Sequence, residues 1–327
     1  MTAGSAAADS SHAPAEDLEQ YRRELTGFCY RMLGSVFDAD DAVQETMVRA
    51  WRGIGGFEGR SAVRSWLYRI ATNVCLDMLR AGQRRAAPMD MGPAQAADAF
   101  TGARLPEATW VQPIPDAKVL PADGDPAELV AARESIRLAF ITALQCLPPR
   151  QRAVLILREV LRWQAAEVAD LLQSSVPSVN SALQRARATI SARDADAPVA
   201  DVVAGSEQRE LLDRYVDAFE RYDIASLVSL LREDAVMTMP PFNFWLRGPA
   251  EMSRFFAGPG KDCRDSRLVA TAANGCAAFG SYHPDGLGGR GPWALQVIEI
   301  SGARIVGHHN FIDPQLFAAF GLPARLP

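Results

Sequence analysis

Apolar residues recur at helical spacing in the first quarter of the chain. From Ser65 to Arg84 they fall at i, i+3, i+4, i+7 and i+11, at positions Leu67, Ile70, Ala71, Val74 and Met78. This spacing predicts one helix with a single buried stripe. Another side of the same helix carries polar residues at intervals of three or four: Arg69, Asn73, Asp77, Arg80 and Arg84. One face should therefore pack, and the other is free to contact a partner.

The helical pattern covers two stretches, residues 17–86 and residues 127–193. In the second stretch, LPPRQRAVLILREV predicts an apolar helix that begins at prolines. It is followed by QAAEVADLL, the short turn QSSV and PSVNSALQRARATI. Two helices joined by so short a turn have the layout of a helix-turn-helix. Pro177 then lies in the first turn of the second helix, where its missing N–H costs little.

Two linkers separate these stretches from each other and from the rest. Residues 87–126 are rich in proline and acids, which is typical of a linker. Within it, Trp110, Val111 and Ile114 are costly to leave in water, so we expect this part to be docked. Residues 194–206 form the second predicted linker, and residues 1–16 a disordered N-terminus.

The pattern changes class in residues 207–327. Leu211, Tyr215, Phe219 and Tyr222 indicate an amphipathic helix, and mixed strands follow it. The segments WALQVIEI (Trp293–Ile300) and RIVGHHNFI (Arg304–Ile312) predict a two-stranded hairpin. The sequence therefore predicts a multidomain protein, with two all-α regions followed by an α+β domain.

Charge is divided along the chain, although the formal net charge of the 327 residues is only -5. Between Asp38 and Glu45 there are four acids and no base, whereas between Arg60 and Arg85 there are six arginines against one acid. An acidic and a basic patch on neighbouring helices suggest two different partners.

The N-terminus has no basic n-region or apolar core, and no run approaches the roughly 20 apolar residues that span a bilayer. We therefore expect a cytoplasmic protein. The five cysteines are scattered without metal-ligand spacing, so buried free thiols are expected, with no metal and no cofactor.

The ordered motifs resemble a known family. DADDAVQETMVRAW (Asp38–Trp51), FEGRSAVRSWLYRIATNVCLDMLR (Phe57–Arg80) and the helix-turn-helix resemble regions two and four of an extracytoplasmic function sigma factor. TWVQPIPD (Thr109–Asp116) and the last domain are similar to the subgroup with a fused SnoaL-like domain of cone-shaped, nuclear-transport-factor-like fold. The resemblance implies core RNA polymerase, through its β′ and β subunits, and promoter DNA as partners.

In the family, an acidic and amide surface docks on coiled-coil helices of the β′ subunit. The corresponding residues are Asp38, Asp40, Asp41, Gln44 and Glu45. A solvated helix start, where the dipole favours acids, is the alternative interpretation of the same residues.

Strand opening requires aromatic or apolar surfaces that catch unstacked bases and cations that hold phosphates. The stretch Phe57–Arg64 resembles the family loop that captures a flipped base of the minus 10 element. Candidate residues for this element are Phe57, Arg60, Ser61, Arg64, Trp66, Arg69, Asn73, Arg80 and Arg84. Trp66 and Tyr68 are open to a second interpretation as core residues.

The second helix of the helix-turn-helix presents candidates for the major groove of the minus 35 element. They are Ser178, Asn180, Ser181, Gln184, Arg185 and Arg187. The commoner family pattern has basic residues near positions 180 and 182, where this chain has Asn180 and Ala182. A chance helical hairpin is the alternative.

The last domain offers candidates for regulation. Neighbouring residues of a strand face opposite ways, so one of His308 and His309 should point inward, either for acid/base chemistry or as a satisfied histidine. DGLGGR (Asp285–Arg290) lacks the lysine and helix of a phosphate loop, which favours a flexible loop. The resemblance implies regulatory roles for Trp110, Pro113, Asp285, Gly288, Gly289 and Arg290, and an unknown small ligand is a further candidate partner.

The sequence therefore predicts a sigma factor without enzymatic activity that reads two promoter elements and is regulated in cis by its last domain. A ligand-responsive helix-turn-helix regulator and an enzyme domain fused to a DNA-binding module remain as alternatives.

Overall fold

The computed structural model describes residues 18–57, 62–82, 84–121, 123, 125–194 and 205–327. Its helices in the N-terminal region and the linker are α1 (Arg22–Leu33), α2 (Val36–Gly53), α3 (Val63–Ala81) and α4 (Asp116–Val119). Those of the central region are α5 (Pro126–Glu134), α6 (Leu138–Gln145), α7 (Pro149–Leu155), α8 (Ala165–Leu171) and α9 (Val176–Asp194). The predicted N-terminal tail and residues 195–204 of the second linker lie outside the described residues.

The N-terminal region is a bundle of α1, α2 and α3. Gly34 ends α1 in the left-handed conformation (φ 71°) and donates its N–H to Tyr30 O. Ser35 then begins α2, because its hydroxyl accepts from Asp38 N. Helix α3 starts two residues before the predicted Ser65 and ends at Ala81, so Arg84 lies beyond the helix, contrary to the prediction.

The central region contains the predicted helix-turn-helix. Helices α8 and α9 are joined by four residues, and Pro177 stands in the first turn of α9, as predicted. The buried side of α9 is formed by Val179, Leu183 and Ala186. Helix α7 continues as a π-helical turn over Ile156–Val160.

The C-terminal domain combines four helices with one six-stranded sheet, which confirms the predicted α+β class. The helices are α10 (Gly205–Glu220), α11 (Ile224–Ser229), α12 (Pro249–Ala257) and α13 (Gln315–Ala319). The strands are β1 (Leu231–Thr238), β2 (Trp245–Arg247), β3 (Arg267–Ala273), β4 (Cys276–Pro284), β5 (Arg290–Ser301) and β6 (Arg304–Phe311).

The sheet order is β2-β1-β6-β5-β4-β3. Strands β1 and β6 are parallel and the other pairs are antiparallel. The predicted hairpin is β5 with β6, in which Val297 faces His309.

Two clusters of buried apolar residues hold the described part of the chain together. One fills the space between the sheet and helices α10 to α12. The other begins in the N-terminal and central regions and continues onto the outer face of the sheet, through residues such as Ala273, Val297 and Phe311. The docked part of the linker belongs to this second core, because Val111 and Ile114 are members of it. The three regions therefore share apolar burial, which is the main stabilising term of folding.

Three further observations bear on the sequence predictions. Within the described residues, no helix has the length and apolar character needed to cross a membrane. The same residues contain no cluster of histidine, cysteine and acidic side chains that could hold a metal ion. All five cysteines are free; Cys29 and Cys75 are buried, as predicted, whereas Cys146, Cys263 and Cys276 are only half-buried.

Candidate functional site

Two basic residues, Arg85 just before the linker and Lys118 within it, pair with part of the acidic face of α2. Asp38 Oδ2 lies 2.6 Å from Arg85 Nη2, and Asp40 Oδ2 lies 2.5 Å from Lys118 Nζ. Asp41, Gln44 and Glu45 are exposed. The predicted acidic surface is therefore divided, with its first two carboxylates already paired inside the molecule.

Arg85 fixes the linker to α2, although sequence reasoning did not select it. Its side chain is 10% exposed, and Nη1 donates to Trp110 O (2.9 Å) and to Glu107 O (3.2 Å). Trp110 itself is 2% exposed, as expected for a docked segment. A guanidinium this deeply buried requires hydrogen-bond acceptors for its remaining donors, and the two carbonyls supply them.

The TWVQPIPD segment lies between the N-terminal region and the C-terminal domain. Gln112 donates its backbone N–H to Gly34 O (2.9 Å) and accepts from Ser35 Oγ (2.5 Å) through Oε1. Pro113, the second linker residue with an expected regulatory role, is buried.

The turn between β3 and β4 connects all parts of the molecule. Asn274 is buried in the left-handed conformation (φ 55°), and Gly275 follows it at φ 73°. Asn274 Nδ2 donates to Tyr30 Oη (2.7 Å) and to Ile136 O (2.6 Å), and Oδ1 accepts from Ile114 N (3.0 Å). One amide group therefore joins the N-terminal region, the central region and the linker. An Asn-Gly pair between strands is a sequence signal for a hairpin turn, but it does not indicate these distant partners.

Two buried arginines join the N-terminal and central regions. Arg31 donates to Ser135 O (3.0 Å) and Ser135 Oγ (2.6 Å). Arg152 donates to Met32 O and to Gln145 Oε1. Burial lowers the pKa of both guanidinium groups to about 10, so both remain charged at neutral pH.

One residue of the basic face of α3, Arg69, contacts α8. Arg69 Nη2 lies 2.8 Å from Asp170 Oδ2, and Asp170 belongs to the first helix of the helix-turn-helix. The Arg64 guanidinium lies 5.4 Å from the Tyr68 ring centre and 5.7 Å from that of Trp163. Arg64 also pairs with Glu24 at 2.9 Å.

The two aromatic residues near the start of α3, Trp66 and Tyr68, differ in how deeply they are buried. Tyr68 is fully buried and packs against Phe28 (5.2 Å) and Trp163 (5.1 Å), so it is a core residue. Trp66 is half-buried, and its ring lies 5.1 Å from that of Phe57.

The remaining minus 10 candidates are dispersed. Arg60 and Ser61 lie outside the described residues. Asn73 is exposed, Arg80 pairs with Asp77 at 2.6 Å, and Arg84 Nη2 lies 2.7 Å from Cys146 Sγ.

The candidates on α9 form one exposed face. Exposed side chains are found at all six positions: Ser178, Asn180, Ser181, Gln184, Arg185 and Arg187. Arg185 donates to Ser181 Oγ at 2.6 Å, and Arg187 pairs with Glu159. Their exposure opposite the buried side of α9 is the geometry that a recognition helix needs to enter a major groove.

The two histidines of β6 face opposite sides of the sheet, as predicted. His308 Nε2 lies 2.8 Å from Tyr215 Oη on the α10 side. His309 Nδ1 lies 2.9 Å from Thr238 Oγ1, and its Nε2 lies 3.5 Å from Glu299 Oε2. Both side chains are buried. His308 is a satisfied histidine, because Tyr215 is its partner. The pair of His309 with the Glu299 carboxylate lies on the other face of the sheet.

The DGLGGR loop joins β4 to β5 and is held more firmly than the predicted flexible loop. Asp285 Oδ1 accepts from Leu287 N (2.8 Å) and Gly289 N (3.1 Å). Arg325 pairs with Asp285 at 2.6 Å and holds the pKa of this carboxyl at about 2. Arg290 forms a backbone pair with Leu326, and Gly288 has φ 78°. The four predicted regulatory residues of the loop, Asp285, Gly288, Gly289 and Arg290, are thus gathered beside the last residues of the chain.

Three family models match separate parts of the chain. The family model of Sigma-70 region 2 matches residues 17–85, that of Sigma-70 region 4 matches residues 137–190, and that of the SnoaL-like domain matches residues 212–308. The ECF RNA polymerase sigma factor SigG of Mycobacterium tuberculosis is 43% identical over 311 residues, which cover 94% of this chain and 83% of SigG.

A second relative is similar over its whole length. SigJ of M. tuberculosis, also an ECF RNA polymerase sigma factor, is 26% identical over 94% of this chain and 95% of its own. The crystal structure of SigJ superposes with a TM-score of 0.59 at 23% identity, covering 95% of this chain and 100% of that chain. It has the same fold.

Proposed function

Because this chain belongs to the extracytoplasmic function RNA polymerase sigma factors, we propose that its linker and C-terminal domain hold its two DNA-binding regions in a closed, inactive arrangement. A sigma factor acts with core RNA polymerase on promoter DNA. Activation would then require the N-terminal and central regions to separate.

The observation that carries the proposal is the contact between α3 and α8. The two promoter elements lie roughly 25 base pairs apart, which is about 80 Å of duplex. Helix α3 is the candidate reader of one element and the helix-turn-helix that of the other, yet Arg69 and Asp170 are in direct contact at 2.8 Å. The two regions cannot bind their promoter elements at the same time while this contact persists. Arg69 must also lose Asp170 before its charge is available to a phosphate.

The acidic face supports the same proposal. We assign Asp38, Asp40, Asp41, Gln44 and Glu45 to polymerase docking, together with Trp51, whose side chain is 66% exposed on the same helix. Two of these carboxylates are paired with Arg85 and Lys118. A partner that seeks acidic side chains would therefore compete with the linker for Asp40.

The other assignments follow from exposure. We assign Phe57, Trp66 and Asn73 to the minus 10 element, and the exposed face of α9 to the minus 35 element. The relatives are sigma factors, which favours a transcription factor without enzymatic activity over a fused enzyme. A repressor that acts without polymerase is disfavoured on the same ground.

The test is run-off transcription with purified core RNA polymerase at limiting sigma factor. Lys118→Ala releases Asp40, and Asp170→Asn releases Arg69, so both should raise initiation. Each exposed ion pair contributes up to about 1 kcal/mol, which predicts an increase of about two- to fivefold. The two substitutions change the net charge in opposite directions, so a shared increase cannot come from general attraction to DNA.

Asp213→Asn, on the exposed side of α10, is the matched control and should leave initiation unchanged. If neither Lys118→Ala nor Asp170→Asn raises initiation, the closed arrangement is contradicted. Absence of promoter-dependent initiation in the wild-type chain and in both variants would contradict the sigma factor activity itself.

A further inference from the structure

The interior of the C-terminal domain contains a cavity of about 210 Å³ between the sheet and the helices α10 and α12. Its walls are mostly apolar and include Phe219, Met237 and Phe256. A cavity of about 150 Å³ with such walls holds a benzene molecule. This one therefore has room for a single ring with a substituent.

Two polar atoms of β4 that line the cavity lack a protein partner. Ser281 is fully buried, and its Oγ has no hydrogen bond within the described residues. His283 Nε2 is also buried without a partner there. Because an unsatisfied buried hydroxyl costs about 1–3 kcal/mol, these atoms point to a bound group that hydrogen-bonds them.

The cavity favours an uncharged occupant. Burial lowers the pKa of His283 to about 4, so this side chain is neutral at physiological pH. Among the described residues, no lysine or arginine lines the cavity, and the one carboxylate that does, Asp262, is exposed. An anion would be buried there without a counter-charge, which is costly.

The linker forms part of the cavity wall. Phe100 lines the cavity and packs edge-on against Phe242 (5.1 Å), Phe244 (5.0 Å) and Phe255 (5.8 Å). On either side of it, the linker is bound to the C-terminal domain: Gln95 N donates to Trp245 O (3.0 Å) and Leu105 N to Pro241 O (2.9 Å). A molecule in the cavity thus touches the domain and the docked linker together.

We propose that this cavity is a sensor site for a small, uncharged, monocyclic molecule with a hydrogen-bonding substituent, and that its binding stabilises the docked linker. Ser281 and His283 bind the substituent, and Phe100 contacts the ring. A ligand that gains contacts only when the linker is docked must, by linkage, favour docking. The site rests on the cavity alone, whereas its regulatory sense rests on the closed arrangement proposed above.

Binding is tested on the full chain with 4-fluorophenol as the probe, followed by ¹⁹F NMR. Saturable binding is expected. Ser281→Ala should weaken it about fivefold, since one hydrogen bond is lost. It should not lower the melting temperature, since the hydroxyl has no partner among the described residues of the free protein.

Ser266→Ala is the matched control, because Ser266 is equally buried but donates to Cys263 O at 2.6 Å. It should lower the melting temperature and leave the probe affinity unchanged. The charged analogue 4-fluorobenzoate should not bind. No saturable binding of 4-fluorophenol, equal affinity in Ser281→Ala, or equal binding of 4-fluorobenzoate would each overturn the site.

The effect on the linker is measured by hydrogen exchange of the Gln95 and Leu105 amides. The probe should slow their exchange in the wild-type chain and in Thr101→Ala, an exposed neighbour of the wall residue, but not in Phe100→Ala. Unchanged exchange at saturating probe would overturn the coupling. None of these measurements uses polymerase, so they test the site independently of the closed arrangement. If the probe binds but Lys118→Ala and Asp170→Asn do not raise initiation, the closed arrangement has failed and the site has not.

Discussion

At the residue scale, His308 shows how burial decides between chemistry and structure. Tyr215 donates its hydroxyl hydrogen to Gln296 Oε1 (2.7 Å), so it must accept from His308 Nε2 (2.8 Å). His308 Nδ1 is then an acceptor, and Asn310 Nδ2 lies 3.2 Å from it. Every polar atom of this imidazole has a partner in its neutral form. Burial lowers its pKa to about 3, so it does not titrate near neutral pH.

This histidine should make the protein sensitive to mild acid. The unfolded chain takes up a proton near pH 6.5 and the folded chain only near pH 3, so stability is lost as the pH falls between these values. From pH 7.5 to pH 5 the loss from this group is about 2 kcal/mol. In urea unfolding at the two pH values, His308→Gln should lose less stability than the wild type by about this amount. An equal loss in both proteins would contradict a neutral His308.

The sequence allowed part of this to be predicted. Strand periodicity is enough to place His308 and His309 on opposite faces. The sequence did not decide whether Tyr68 contacts DNA or belongs to the core, and the structure places this residue fully inside the bundle. Only tertiary packing could decide, because Tyr68 lies beside the predicted apolar stripe, and Trp163, which buries it, lies 95 residues further along the chain.

At the element scale, α3 begins next to the predicted base-capturing loop. The helix was predictable from its apolar stripe, but its contact with α8 was not, because a periodic pattern shows that a face packs without showing against what. Phe57 and Trp66 stand on either side of residues 58–61 with their rings 5.1 Å apart. Two neighbouring aromatic rings are suited to stack on a displaced base.

If Phe57 stacks on a displaced base, its contribution belongs to strand opening. Phe57→Ala should impair initiation on duplex promoter DNA more than on a template with a pre-opened bubble, by about tenfold for a stacking loss of about 1.4 kcal/mol. Run-off transcription on the two templates measures this. A defect of equal size on both would indicate that Phe57 only supports the fold of α3 through Trp66.

At the scale of the whole molecule, the shared core makes the three regions dependent on one another. The order of the regions could be read from the motifs, and the docking of the linker from Trp110, Val111 and Ile114. Their arrangement in space could not, because it depends on Asn274, Arg31 and Arg152, whose distant partners leave no periodic signal in the sequence.

Tyr30→Phe tests this dependence with little change of shape. It removes the hydroxyl that accepts from Asn274 Nδ2 and donates to Gln112 O (2.8 Å), and it leaves the carbonyl unsatisfied in a buried site. We expect a loss of about 1–3 kcal/mol in the free energy of unfolding. Hydrogen exchange under native conditions should show it in the C-terminal sheet as well as in α1. Loss of protection confined to α1 would contradict a common core.

The position of Asn274 also orders events in time. A ribosome makes the chain from its N-terminus, so both DNA-binding regions are complete about 80 residues before this turn exists. At about 5–20 residues per second, that interval is roughly 4–16 s. During those seconds each newly made molecule lacks the amide that later joins its parts. A growing chain can therefore encounter polymerase before the contacts of Asn274 have formed.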